Sequence, residues 1–321
     1  MADIFEALNF KELLLPLNEL KNCNLCPRNC SADRFSEKLG YCKSNASFNI
    51  ASVFLHKGEE PVISGEKGIC NVFFTHCNLQ CVYCQNYQIS DNSFNDIVYQ
   101  QSLKEIILKI IKILDQGCNI LGFVSPSHFI PQMKVIINTL HKLGRHPVVV
   151  YNTNAYDKVE VLKSLENYVD VYLPDFKYMF NDISEEYSKA KNYPEIAKAS
   201  IKEMFRQKGA LLKFNKKNQI TSGLIIRHLI LPGHIENSKA VLKYIAEEIS
   251  IDVNISVMSQ YYPTPRVSAH NFLGRCLTEK EYNDVIEYID ELGFSNGWIQ
   301  DMSSNNNYIP DFFDEEVFKN N

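Results

Sequence analysis

Long apolar runs are missing from this 321-residue chain, and so is any excess of positive charge. Near the N-terminus the longest apolar stretch, Leu13 to Leu17, is broken by Pro16 and is too short for a signal-peptide core or a membrane span. The first residues, Met-Ala-Asp-Ile-Phe-Glu-Ala-Leu, also carry acidic groups, so the expectation is a cytoplasmic protein with no membrane partner. A formal net charge of -5 offers no general basic face for a phosphate backbone, which argues against a nucleic-acid partner and leaves only local basic patches. With 45% hydrophobic residues the chain can bury one large domain with a small appendage, and it shows no internal repeat beyond an alternation of strand and helix patterns.

Cysteine, by contrast, is plentiful: there are ten, and seven fall in two tight groups. In a chain with no secretory signal such grouping points to metal, in a reducing and oxygen-poor setting, rather than to disulfides. Cys70, Cys118 and Cys276 stand apart and are expected to be buried small hydrophobes. Cys77, Cys81 and Cys84 are spaced C-x3-C-x2-C directly after a strand-like segment. Three thiolates suit an iron–sulfur cubane with one iron left open to bind a cofactor or substrate group, whereas four would close it. A structural zinc site with His76 as a further ligand is the competing reading, although the next cysteine is as distant as Cys118. The other group, Cys23, Cys26, Cys30 and Cys42, reads C-x2-C-x3-C-x11-C. Its four thiolates suit either a tetrahedral zinc ion or an auxiliary iron–sulfur cluster, and either would organise a segment that has little core of its own.

From Asn71 onward strands and helices alternate. Strands are expected at 71–76, 119–124, 147–151, 169–173, 224–231 and 254–258, and helices after the Ser102-x-x-Glu105 capping box, from Pro131, and near 158–166, 194–207 and 238–249. Six strands joined through helices predict an α/β fold, a partial (β/α)6 TIM-like barrel of parallel strands whose carboxyl-end loops carry the site. The expected organisation is an N-terminal Cys-rich metal-binding segment (1–65), the barrel (66–262) and a C-terminal helical extension (263–321). In that extension Thr278-x-x-Glu281 opens a helix that is expected to cover the open side of the sheet, and Gly293 stops it. The tail from Ser303 is polar and acidic and is expected to be partly disordered.

The Cys77–Cys84 loop, with aromatic Tyr83 before its last cysteine, resembles the signature of radical S-adenosylmethionine (SAM) enzymes. Cys-Pro-Arg-x-Cys, then the cysteine loop with Gln85-Asn86-Tyr87, then Tyr-Leu-Pro-Asp-Phe-Lys and Arg-His-Leu-Ile-Leu-Pro-Gly, narrow the resemblance to proteins similar to pyruvate formate-lyase activating enzymes, over roughly residues 23–300. The resemblance implies a [4Fe–4S] cluster whose open iron chelates SAM. It also implies a reductant such as flavodoxin or ferredoxin, and a 5′-deoxyadenosyl radical that abstracts hydrogen from a substrate, including a glycine of a partner protein. Carried over residue by residue, it makes Cys77, Cys81 and Cys84 the cluster ligands and places Tyr83 and Gln85 beside the cofactor.

Other cofactor contacts are expected at strand ends. The second expected strand ends in Val124-Ser125-Pro126-Ser127-His128 where activating enzymes have Gly-Gly-Glu, so Ser125 and Ser127, backbone carbonyls or His128 would replace the usual carboxylate. Asn152 and Asn154 offer amides to a ribose. Asp175 and Lys177, two apart on an extended segment, point the same way and match the family's Asp-x-Lys. Of Arg227 and His228 alternation sends only one inward, with Arg227 the expected contact. Gln260 stands with Tyr261 and Tyr262 where activating enzymes have a histidine. The missing Gly-Gly-Glu, together with the lack of further cysteine clusters inserted after the first, marks a departure from standard activating enzymes. A protein loop is the expected substrate; modification of RNA or of a small metabolite, and a non-catalytic iron–sulfur or zinc scaffold, are the competing functions. The scaffold would have Asn152, Asn154, Asp175 and Lys177 turned away from the cysteine loop.

Overall fold

The structure, a computed structural model, describes residues 8–94, 97–302, 309–314 and 317–318. Eight strands build its main sheet: β1 (Phe48–His56), β2 (Ile69–Phe74), β3 (Ile120–Val124), β4 (Val148–Thr153), β5 (Val171–Pro174), β6 (Ile220–Leu229), β7 (Asn254–Met258) and β8 (Gly297–Ile299). They lie side by side in chain order from β1 to β8. Strands β2 to β8 are parallel, and β1 runs antiparallel to β2 at one edge. No pairing joins β1 to β8 among the described residues, so the barrel is open. The six expected strands are all present, and the sheet gains β1 and β8 at its two ends, with two short strands, Gln100–Gln101 beside β1 and Lys213–Phe214 beside β6, making ten. The expected boundary at 65/66 falls in the connection between two paired strands, β1 and β2, and β8 comes from within the expected C-terminal extension.

Helices cover the outer face: α1 (Leu103–Leu114), α2 (Ile130–Lys142), α3 (Val159–Lys163), α4 (Asn181–Ser188), α5 (Tyr193–Lys208), α6 (Ile235–Glu248) and α7 (Glu279–Leu292). The capping box that opens α1 is complete: Glu105 N donates to Ser102 Oγ (3.2 Å) and Ser102 N to the Glu105 carboxylate (2.8 Å). Its stripe of Leu103, Ile106, Ile107, Ile110 and Ile111 is buried, each side chain contributing about 1.5–3 kcal/mol relative to exposure. An aspartate at Ile107 would therefore break the contact between helix and sheet.

Alternation along β2 divides the two faces. Cys70, Val72 and Phe74 join the helix-side core with α1, whereas Ile69 packs inside the barrel with Ile120, Val150 and Val171. Cys70 and Cys118 are buried, as expected of small hydrophobes, and Cys276 is half-buried.

Helix α7 does not cover the open side. Its Thr278/Glu281 capping box and Gly293 stop (φ 81°) are as expected, but it packs on α6 and hands the chain to β8. The apolar stripe Val285–Ile289 finds its complement on the adjacent helix rather than across a gap. Part of the tail from Ser303 lies outside the described residues; of those described, Phe312 packs edge-on against Phe73, and Phe318 against Phe54 and His56. A tail segment thus flanks the β1 edge of the opening.

Candidate active site around the cysteine loop

Inside the open barrel lies a cavity of about 790 Å³. The loop after β2 brings Cys77, Cys81 and Cys84 to it, and the carboxyl ends of the strands bring Ser125, Asn152, Asn154, Asp175, Lys177, Arg227 and Gln260. The four residues that a bare scaffold would turn away therefore share one space with the three thiols.

Asn92, which sequence reasoning missed, anchors the loop. Its Oδ1 accepts from Cys77 N (3.0 Å) and its Nδ2 donates to Cys77 O (3.0 Å) and Tyr41 O (3.1 Å). Asn154 Nδ2 donates to Asn78 Oδ1 (2.8 Å) and lies 3.6 Å from Cys77 Sγ. On the other side of the loop a hydroxyl chain runs from Tyr83 to Tyr178 (2.5 Å), Ser188 (2.6 Å) and Cys81 Sγ (2.9 Å). His76 engages the Phe94 carbonyl (3.3 Å) rather than the thiols. Burial pushes the Cys81 thiol up to about 11, with Lys177 opposing, and pushes Cys77 still higher. A bound metal would have to displace those protons.

Arg227 ties the strand ends together. It donates to Asp175 (2.8 Å), Asn152 (2.8 Å) and Glu59 (3.2 Å), while Lys177 Nζ donates to the other Asp175 oxygen (2.7 Å). Burial pushes the Asp175 carboxyl up, but the Arg227 and Lys177 cations more than offset it and hold it below the usual carboxylate range. Glu59, from the connection between β1 and β2, has no motif in the sequence to announce it. Neighbouring Glu60 is buried and its carboxyl is raised by that burial. His228 faces the opposite side, between Phe176 O (2.7 Å) and Ser238 Oγ (2.9 Å), so alternation does separate the pair.

Two expected groups are not at the cavity. Ser127 is fully buried against Thr153 Oγ1 (3.2 Å) and within 3.5 Å of the Tyr151 hydroxyl, because the left-handed Ser125 (φ 50°) turns the following residues into the core. His128 faces the Thr75 carbonyl (2.9 Å). Gln85 and Gln260 do meet, through Gln85 Nε2 and Gln260 O (3.1 Å), and Gln300 Nε2 donates to Gln260 Oε1 (3.0 Å). Tyr261 is buried, its hydroxyl on Leu273 O (2.6 Å).

The N-terminal cysteines Cys23, Cys26, Cys30 and Cys42 line one small pocket of about 10 Å³. Among the described residues no three His, Cys, Asp or Glu side chains converge as they would around a single metal ion.

Residues 71–245 match the model of the radical SAM superfamily. An uncharacterised protein of Methanocaldococcus jannaschii, MJ0674, is 32% identical over 279 residues, covering 85% of this chain and 76% of that protein. The chain belongs to the radical SAM superfamily. Among solved structures, a domain of a pyruvate-formate lyase-activating enzyme from Bacteroides vulgatus is similar at 12% identity and TM-score 0.39, over 54% of this chain and 93% of the domain. Streptococcus suis SuiB bound to S-adenosylmethionine is similar at 12% identity and TM-score 0.47, over 75% of this chain and 52% of SuiB. Radical SAM membership implies a [4Fe–4S] cluster and SAM, and the cavity has the donors for them: three thiols on one loop facing polar strand ends. No described helix is long and apolar enough to cross a membrane.

Proposed function

We propose that this radical SAM enzyme acts on a polypeptide and is of the pyruvate formate-lyase activating kind, with a glycyl radical as one form of product. The observation that carries the reading is the single cavity shared by Cys77, Cys81 and Cys84 with Asn152, Asn154, Asp175 and Lys177. Cys77, Cys81 and Cys84 would hold the cluster, which with SAM bound would supply one-electron cleavage of SAM to methionine and a hydrogen-abstracting 5′-deoxyadenosyl radical. Lys177 would meet the SAM carboxylate, Asn152 and Asn154 the ribose, and Ser125 with neighbouring carbonyls the amino group. Tyr83, Gln85, Arg227 and Gln260 shape the wall, and the barrel excludes water from the radical. A polypeptide substrate is supported by the open sheet, where Phe54, His56 and Phe73 already receive a peptide segment through Phe312 and Phe318.

The protein works in the cytoplasm with flavodoxin or ferredoxin as reductant, and its N-terminal cysteines form a second metal site. The test is anaerobic incubation with dithionite and SAM, with and without the protein encoded by the neighbouring gene. 5′-Deoxyadenosine together with an organic radical or a mass change on that protein is expected. Turnover of a free metabolite with no polypeptide modified would overturn the substrate class, and no deoxyadenosine under any condition would overturn the activity.

A further inference from the structure

Arg28, in the Cys-Pro-Arg-x-Cys run of the N-terminal segment, does not line the cavity, yet its guanidinium reaches the two stretches of backbone that frame the cysteine loop. Its Nε donates to the carbonyl of Asn78 (2.9 Å) and its Nη1 to the carbonyl of Lys189 (2.6 Å). Asn78 directly follows Cys77, and Lys189 directly follows Ser188, whose hydroxyl donates to Cys81 Sγ (2.9 Å). One planar fork therefore spans the loop that carries Cys77 and the turn that carries the partner of Cys81.

Both ends of the fork meet backbone that is itself fixed. Asn78 is fully buried, with its Nδ2 donating to Tyr156 O (3.0 Å) and its Oδ1 accepting from Asn154. Lys189 closes α4 in the left-handed conformation (φ 54°), uncommon for a residue with a side chain, and Arg28 receives the carbonyl it presents. The loop also leans on the same turn directly: Gln80 N donates to Ser188 O (3.4 Å) and Val82 N to Tyr187 O (2.8 Å). Behind the fork, the guanidinium lies 3.8 Å from the centre of the Tyr41 ring and 5.2 Å from that of Tyr156. The Tyr41 carbonyl in turn accepts from Asn92, which holds Cys77 N and O. The N-terminal segment thus reaches the Cys77 end of the loop by two routes.

We propose that Arg28 is a positioning residue for the cluster at Cys77, Cys81 and Cys84: by holding Asn78 O and Lys189 O together it sets the distance between the loop and the Ser188 hydroxyl, and it makes the N-terminal segment a brace for the site. The inference rests on the reading that these three cysteines hold the cluster, and it stands for any occupant of the N-terminal pocket. Arg28→Lys separates the fork from its charge, because a lysine keeps the cation but holds one carbonyl at a time. In full-length protein, hydrogen–deuterium exchange at the Gln80 and Val82 amides is expected to be roughly tenfold faster in Arg28→Lys than in the parent, with the amides of α1 unchanged. After anaerobic reconstitution the cluster potential is expected to fall, since a slack Ser188–Cys81 bond favours the reduced form less. Combined with Ser188→Ala, the shift is expected to be smaller than the sum of the two single shifts. Unchanged exchange in the loop, an unchanged potential or additive shifts would each overturn the proposal, and faster exchange in α1 as well would make Arg28 a general support of the fold. A parent that binds no cluster at the triplet would overturn the underlying reading instead, which the exchange measurement does not touch.

Discussion

The hydroxyl of Ser188 donates to the sulfur of Cys81 across 2.9 Å. With its hydrogen spent there, the Ser188 oxygen must accept from Tyr178, and Tyr178 in turn from Tyr83, so three hydroxyl hydrogens point toward one thiol in series. Hydrogen bonds to a cluster's sulfurs favour its more negative, reduced form and raise its potential. Ser188→Ala is therefore expected to lower the potential of the Cys77/Cys81/Cys84 cluster by roughly 40 mV, the one-electron equivalent of about 1 kcal/mol. A spectroscopic redox titration checks this, and an unchanged potential would show that the chain only fills space.

Lys177→Met should weaken SAM binding by about 1.5–3 kcal/mol, the usual loss for a hydrogen bond to a charged group, and Asn154→Ala, which faces the uncharged ribose, by about 0.5–1.5 kcal/mol. Calorimetry against SAM would read this as a rise in Kd of roughly ten- to hundredfold for Lys177→Met and roughly two- to tenfold for Asn154→Ala, with the cluster absorption intact. Equal affinity in both variants would place the SAM head elsewhere.

Gly122→Ala probes the barrel interior. A Cβ at this position of β3 would collide with Asn71 Oδ1 and approach Ile69 Cδ1 to 2.7 Å. Asn71 is held by Glu59 (3.0 Å), which is held by Arg227, so the neighbour cannot easily give way. A loss of roughly 1–3 kcal/mol is expected in urea unfolding, and a neutral result would mean that the Arg227 cluster is softer than its geometry implies.

Acid should destabilise the fold through its buried histidines. Burial lowers His56 and His228 to about 4 and His128 to about 3. Between those values and the unfolded value near 6.5 the unfolded chain binds more protons, so this stabilisation is complete above about pH 6.5 and is lost as pH falls toward 4. Each histidine contributes a slope of about 1.4 kcal/mol per pH unit in that window. His228 isolates one of them: its Nδ1 donates to Phe176 O and its Nε2 accepts from Ser238, so His228→Gln should remove one histidine's share of the slope. Parallel stability–pH curves for parent and variant would contradict the assignment.

Much of the fold was legible because its signals are local. The capping boxes at Ser102 and Thr278 and the apolar stripe of α1 declare themselves within a dozen residues, as does the C-x3-C-x2-C loop. The partners of those signals were not legible. That α7 would turn to α6 depends on complementarity between two helix surfaces, which periodicity cannot report. Ser127 fails as a cavity residue because the chain turns at the left-handed Ser125 and Ser127 is held in the core by Tyr151 and Thr153. Asn92, Glu59 and Ser188 carry no motif: each acts through contacts with residues distant in sequence, and only the folded geometry brings them together.

The carbonyls that receive Arg28 set a clock on biosynthesis. Lys189 lies 161 residues further along the chain, which at typical translation speeds takes the ribosome roughly 8–30 s to add. Through that interval the N-terminal segment lacks the carbonyl that will receive Arg28, so the segment made first docks only after the strands and helices up to Lys189 have been made.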